Sequence, residues 1–352
     1  MKKYRLAVVI GAATLPLVAH AAPEFYGKFH VSIDKSSDYL GGNFLDGAFG
    51  NPNSGLSDGW AAESNSSRVG IRGSEPLFSD DLNAIYQFEA GADLDGDGAT
   101  VSTRNSFLGL GTQVGDFFIG RYDSVVKQAE GNLDQFNDTA ADISNVFFSQ
   151  NRTNSSLNWV SPTYGAVVFK VQMAPGENTV AAGETKDGLA DVLGASATFK
   201  QDNFFAALAF EKGFTTVTVP TGAAPPAPAT ADLGIETQFI RASAGVSLEG
   251  GIELGGIIES VNFDAGGGGD ADGISMLLSG KLQANERLAL KAQIGRFDSS
   301  DIDAEATVIT GGADYAIGKQ TKVYGLLSVS DVEAGALDDG GNLISAGMIH
   351  SF

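Results

Sequence analysis

Apolar and polar residues alternate along most of this chain with a period of two. Phe25, Gly27, Phe29, Val31 and Ile33 fall on one face, and Tyr26, Lys28, His30, Ser32 and Asp34 on the other. That is the signature of a strand with one greasy and one wet side. The same pattern recurs in Ser67–Ser74, Leu82–Ala92, Val101–Gly111, Asp116–Tyr122, Arg152–Ser161, Gly165–Ala174, Leu189–Lys200 and Asn203–Lys212. It continues in Gly234–Leu248, Gly251–Phe263, Gly273–Gln283, Glu286–Phe297, Ala304–Ile317, Lys319–Ser330 and Asn342–Phe352. Gly234–Leu248 changes phase near Phe239–Arg241, which points to a bulge or a wrong boundary.

The connections alternate between short and long. Glu75–Asp81, Thr112–Gly115, Pro162–Tyr164, Gln201–Asp202, Glu249–Gly250, Ala284–Asn285 and Gly318 are short. Lys35–Asn65, Asp93–Thr100, Asp123–Asn151, Pro175–Gly188, Gly213–Leu233, Asp264–Asp272, Asp298–Asp303 and Asp331–Gly341 are long. Antiparallel strands joined in this way place tight turns on one rim and long loops on the other. Pro220, Pro225, Pro226 and Pro228 argue against a strand within Gly213–Leu233. A soluble sandwich also alternates, but rarely needs so many strands in one meander. A closed sheet pairs all of its backbone groups and can therefore cross lipid. Aromatic residues near strand ends (Phe25/Tyr26, Phe117/Tyr122, Phe204/Phe205, Tyr315, Phe352) suit girdles at the two interfaces. The predicted fold is all-β, a 16-stranded antiparallel transmembrane β-barrel.

Asp123–Asn151 fits neither a strand nor a helix pattern and carries Glu130, Asp134, Asp138 and Asp142 at four-residue spacing. Loops of this length are uncommon and usually functional or disordered. Doubled back, it reaches up to ~45 Å at ~3.3 Å per residue, enough to cross a lumen. It is predicted to fold inward and narrow the pore, which a barrel of ~16 strands leaves open to water.

Residues 1–21 read as an export signal: Lys2, Lys3 and Arg5, then the apolar stretch Leu6–Val18, then Ala19-His20-Ala21 before the cut. The barrel domain is then 22–352. Mean hydropathy is near zero, as expected where every second side chain is polar. The formal charge is −21 and grows more negative once the signal leaves. It excludes nucleic acid as a partner and predicts a mild cation preference. There is no Cys, so thiolate and disulfide chemistry are absent. No nucleophile elbow, His-based metal cluster or phosphate loop is present, and no enzymatic activity, metal or cofactor is expected. Asp93-Leu-Asp95-Gly-Asp97-Gly98 resembles the start of a calcium loop, but Arg104 stands where the twelfth-position acid belongs, so it reads as a turn.

Several segments together resemble the general (non-specific) porins of Gram-negative outer membranes. They are Ser67-Arg-Val-Gly-Ile-Arg-Gly-Ser-Glu75, Leu82-Asn-Ala-Ile-Tyr-Gln-Phe-Glu89, Asn105-Ser-Phe-Leu-Gly-Leu-Gly111, Phe117-Phe-Ile-Gly-Arg121, Asn158-Trp-Val-Ser-Pro-Thr-Tyr-Gly165 and Gly347-Met-Ile-His-Ser-Phe352. The resemblance implies a homotrimer passing ions and small hydrophilic solutes, in contact with lipid, lipopolysaccharide and the barrel-assembly machinery, with Phe352 as assembly signal. It implies a basic wall of Arg68, Arg104 and Arg152, with Arg72 a weaker member. Facing it would be loop acids, first Asp134 and Asp138, then Glu130 and Asp142. The loop lacks the family's Pro-Glu-Phe-Gly-Gly run. The resemblance also implies that the second long loop, with Asp93, Asp95 and Asp97, latches a neighbouring subunit or holds a divalent cation there. A channel of the same fold selective for one solute is the alternative.

Overall fold

The computed structural model describes residues 23–40, 58–78, 81–96, 101–220, 230–266, 269–334 and 337–352. The expected export segment, Asp97 and Pro225, Pro226 and Pro228 lie outside them. The strands are β1 (Glu24–Ser37), β2 (Gly59–Ser64), β3 (Arg68–Pro76), β4 (Asn83–Ala92), β5 (Val101–Thr103), β6 (Ser106–Thr112) and β7 (Gly115–Asp123). After the inserted loop come β8 (Arg152–Val160), β9 (Val167–Ala174), β10 (Thr179–Ala181), β11 (Glu184–Lys186), β12 (Val192–Gln201), β13 (Phe204–Pro220) and β14 (Thr230–Leu248). The chain finishes with β15 (Ile252–Asp264), β16 (Asp270–Gln283), β17 (Leu288–Ser299), β18 (Ala304–Ala316), β19 (Thr321–Ala334) and β20 (Leu337–Ser351).

Successive barrel staves pair antiparallel, β9 with β12 across the long connection between them, and β1 pairs with β20 from Lys28↔Ser351 to Ser37↔Asn342. On its other edge β1 pairs with β2 and β3, so the sheet closes on itself. β2 and β3 are two halves of one barrel stave, as are β5 and β6, which leaves a 16-strand antiparallel barrel. Closure pairs the backbone around the ring without exposing a sheet edge to lipid. β10 and β11 form a separate small hairpin on the long-loop rim.

The outward face is apolar along whole strands. On β16, Ile274, Met276, Leu278 and Leu282 point out, and Ser275, Leu277, Ser279 and Lys281 point in. Of the aromatic residues expected in girdles, Phe25, Phe117, Phe204, Tyr315 and Phe352 are exposed outside. Tyr26, Tyr122 and Phe205 instead turn inward. Tyr26 bonds Glu89, Tyr122 packs on Phe107 and Phe118, and Phe205 joins the internal core. Phe352 covers Gly27, exchanges two backbone hydrogen bonds with it, and lies 5.2 Å from Phe29.

The expected bulge in β14 is absent: its register with β13 and β15 runs unbroken through Phe239–Arg241. Phe239 is an apolar residue on an inward position, where the inserted loop covers it. The register shift falls instead between Gly120 and Tyr122. β13 and β14 also extend into the connection read as a loop, as far as Pro220 and from Thr230. Pro220 is tolerated as a strand terminus, where no further ladder bond is required.

The hydrophobic core lies inside the barrel, between the wall and the loop at 124–151. Val125, Val126, Leu133, Phe136, Ile143, Val146 and Phe147 of the loop meet Phe205, Phe239, Ile257, Val261, Leu277, Phe297 and Leu326 of the wall. Leu133 sits on Gly245 and Gly255, where a Cβ on either glycine would come within 2.6 and 2.5 Å of its methyl carbon. Tyr39, just past β1, also tucks inside and is fully buried, its hydroxyl 2.7 Å from Ser328.

Candidate functional site: the lumen constriction

The inserted loop leaves β7, forms the short helix α1 (Val125–Gln128) capped by the Ser124 side chain, and returns through a 3-10 turn at Ile143–Asn145 capped by Asp142. The cap oxygens take backbone N–H groups that a helix start leaves unpaired. Inward-facing wall residues hold the loop by its carbonyls. Ser279 donates to Leu133 at 2.5 Å, Ser275 to Val146 at 2.6 Å and the Gln293 amide to Ala141 at 3.2 Å. Burial of the loop's apolar side and these bonds fold it into the barrel.

Among the described residues, two water-accessible chambers meet at the loop. One, of about 640 Å³, faces the short-turn rim and is lined by Glu253, Lys281, Gln283, Lys291 and Lys322 among others. The other, of about 580 Å³, faces the long-loop rim and is lined by Asp34, Ser36, Ala61, Glu63 and Asn65 among others. Arg104, Lys127, Asp138 and Arg152 line both, so these four side chains mark the neck.

Each basic residue at the neck has a carboxylate behind it. Glu89 accepts from Arg104 Nε at 2.7 Å and lies 3.8 Å from Arg68. Asp123 lies 3.0 Å from Arg152 Nε and 3.7 Å from Lys127. Asn105 joins the two banks, donating to Asp123 at 2.7 Å and accepting from Arg152 at 3.2 Å. The break between β5 and β6 falls at Arg104 and Asn105, which places both residues beside the lumen. Arg68, Arg104 and Arg152 line the same chamber. Arg72 does not join them: its guanidinium is held at 2.9 Å by both oxygens of Glu24 and lies over the Tyr26 ring.

The four loop acids divide by role. Asp138 alone reaches the basic wall. It bonds Lys28, and Arg68 donates to it at 3.2 Å. Burial opposes its ionisation, but Lys28 and Arg68 outweigh that and hold the carboxyl well below its usual range. Asp134 instead accepts the amides of Phe136 and Ile143, and Asp142 those of Asp138 and Ser144. Burial raises both, and their bonds hold the loop's shape. Glu130 accepts from Gln150 at 2.8 Å and sits 3.6 Å from Arg241. Sequence reasoning missed Glu89, Lys28, Arg241 and Glu259. The available signal was charge on inward strand positions.

Burial pushes Glu130 up to about 7, against the pull of Arg241 and Lys127 and with the push of Asp142 and Asp134 nearby. Its folded value is raised above 4.5, so its support for the docked loop is full at low pH and weakens as pH rises towards about 7. Ionisation also adds negative charge to the chamber on the short-turn side, which Glu130 lines. Cation preference is therefore expected to rise between pH 6 and 8, and Glu130→Gln to flatten that rise in reversal-potential recordings.

Asp93 and Asp95 serve as a turn: Asp95 accepts the Ser64 amide at 2.5 Å, and Asp93 that of Asp95 at 3.3 Å. Among the described residues no cluster of His, Asp or Glu has the arrangement to hold a metal.

The family model described as "Gram-negative porin" matches residues 6–335. The major outer membrane protein P.IB of Neisseria gonorrhoeae is 27% identical over 190 residues, covering 53% of this chain and 51% of that protein. The chain thus spans about half the length of the curated relatives it matches. An anion-selective porin from Comamonas acidovorans superposes with TM-score 0.71 at 18% identity, over 94% of this chain and 99% of that one. OmpT of Vibrio cholerae, in a trimer form, superposes with TM-score 0.70 at 14% identity, over 94% and 99%. At these identities the two structures speak for the fold.

Proposed function

The chain belongs to the Gram-negative porin family, and from that membership we propose that it forms a water-filled channel in the outer membrane. Ions and small hydrophilic solutes would cross it by passive diffusion, three copies would assemble as in the OmpT trimer form, and no chemistry would be performed. The observation that carries this reading is the pair of polar chambers meeting at a charged neck inside a barrel with an apolar exterior. A neck whose cations are largely compensated by Glu89, Asp123 and Asp138 carries a local field but a small net charge. Such a field orders dipolar solutes and water, and gives weak ion selection.

The cation preference expected from the net charge is assigned to the outer mouth. Asp38, Asp58, Asp93, Glu177, Glu184, Asp187, Asp301, Asp303, Glu305 and Asp331 lie in or beside the long connections. Charges exposed there are screened over about 10 Å at 0.1 M salt. Bilayer recordings in a salt gradient are expected to give a mild cation preference at low salt that fades as salt rises. A preference for anions at low salt would overturn the assignment. Failure of the purified protein to conduct, or to let sugars swell liposomes, would sink the channel itself. Block of the current by a single solute at low concentration would favour the alternative, an uptake channel for one solute.

A further inference from the structure

Arg241 is the largest fully buried side chain among the described residues, and a buried charge is costly unless it is paired and hydrogen-bonded. It projects from β14 into the seam between wall and loop. Its Nε and Nη2 both lie 2.7 Å from Glu259 of β15. Nη2 also donates to Ser149 Oγ at 2.7 Å, and that hydroxyl donates to Glu259 at 2.6 Å. Nη1 donates to the Val126 carbonyl at 3.2 Å, and the guanidinium faces the Phe147 ring at 5.0 Å. Val126 lies on the limb of the loop that leaves β7, and Ser149 on the limb that returns to β8. One planar group thus binds both limbs at their root and ties them to the wall on the side away from Arg68.

We propose that Arg241 is the positioning residue that sets the aperture, by fixing both limbs of the constriction loop to β14 and β15. This rests on the channel reading above. Elsewhere the wall holds the loop towards its tip: Lys28 and Arg68 pair with Asp138, and Gln293 accepts from Gln135 and donates to Ala141. At the root of the loop Arg241 reaches the Val126 carbonyl, Ser149 and Glu259 at once, which takes the several donors of a guanidinium in a fixed fork. An ammonium at this place would keep the charge and lose one limb. The lateral position of the loop decides how far Lys127 and Glu130 stand from the arginines opposite.

The test compares single-channel recordings of wild type with Arg241→Lys, Arg241→Met and Ser149→Ala. Each protein is also checked on gels for the temperature at which the folded barrel loses its compact mobility. Expected is a change of about twofold in conductance with added open-channel noise and substates in Arg241→Lys and Arg241→Met, because a freed segment samples several positions. Ser149→Ala, which keeps the ion pair, should show the noise with a smaller conductance change. The gel transition should stay near wild type, since the barrel ladder is intact. If Arg241→Met does not fold, Arg241→Lys and Ser149→Ala decide. Wild-type conductance and noise in those two would overturn the proposal while leaving the channel standing. A silent wild type would instead remove the reading beneath it.

Discussion

Replacing Leu278 by arginine is expected to cost the folded barrel about 2–4 kcal/mol, the range for a cation placed on the lipid face near the bilayer midplane. Leu278 is 67% exposed on the outer face near the middle of β16, with Met276 on the same face. Its neighbours across the ladder are Gly256 and Ile294. No acid stands within that outward stretch of β16 to pair with a new guanidinium. Leu278→Ala removes apolar surface without adding charge and should cost far less. Denaturant titration of protein folded into vesicles measures both. An arginine variant with the wild-type midpoint would mean that this face does not meet hydrocarbon, and the membrane assignment would fail with it.

Neutralising the neck should have the largest effect on selection. In Arg104→Ala/Arg152→Ala, Glu89 and Asp123 lose their nearest guanidinium groups and keep as basic partners only Arg68 and Lys127 at 3.8 and 3.7 Å, and the neck loses two positive charges. A unit charge at about 4 Å is worth about 1 kcal/mol even in bulk water. Two charges changed together are therefore expected to raise the cation-to-anion permeability ratio on the order of tenfold, since 1.4 kcal/mol is a factor of 10. Asp138→Asn moves the ratio the other way and by less, because it removes one carboxylate that Lys28 and Arg68 already cover. Asp134→Asn should leave the ratio near wild type, since that carboxylate is spent on two loop amides. Reversal potentials in a salt gradient read all three. An unchanged ratio in the arginine double variant would show that the rate-limiting step for ions lies elsewhere, most simply at the acidic mouth.

Alternation was enough to find the staves, because a strand between lipid and water must place apolar side chains on every second position. It misled where the inside of the barrel is not wet. Phe239 and Phe205 break the expected pattern because the loop's apolar side lies over them, and a local period cannot reveal a distant cover. The gathering of Arg68, Arg104 and Arg152 was implied by the resemblance of their segments to the porin family; a cation on a stave is not enough, since Arg72 pairs with Glu24 instead. Their partners Glu89 and Asp123 were not singled out, because pairing follows register and the break at Arg104.

The sequence by itself determined a closed antiparallel sheet, the rim on which the long connections lie, and an acidic insert too long for a turn. Only the tertiary structure decided which acid faces the basic wall and which ones hold the loop. That division depends on where backbone amides and guanidinium groups end up in space. Four carboxylates of similar kind, evenly spaced along the chain, carry no local signal of which will be solvated, buried or paired. Burial against β14–β18 assigns them, and that contact forms between residues more than a hundred positions apart.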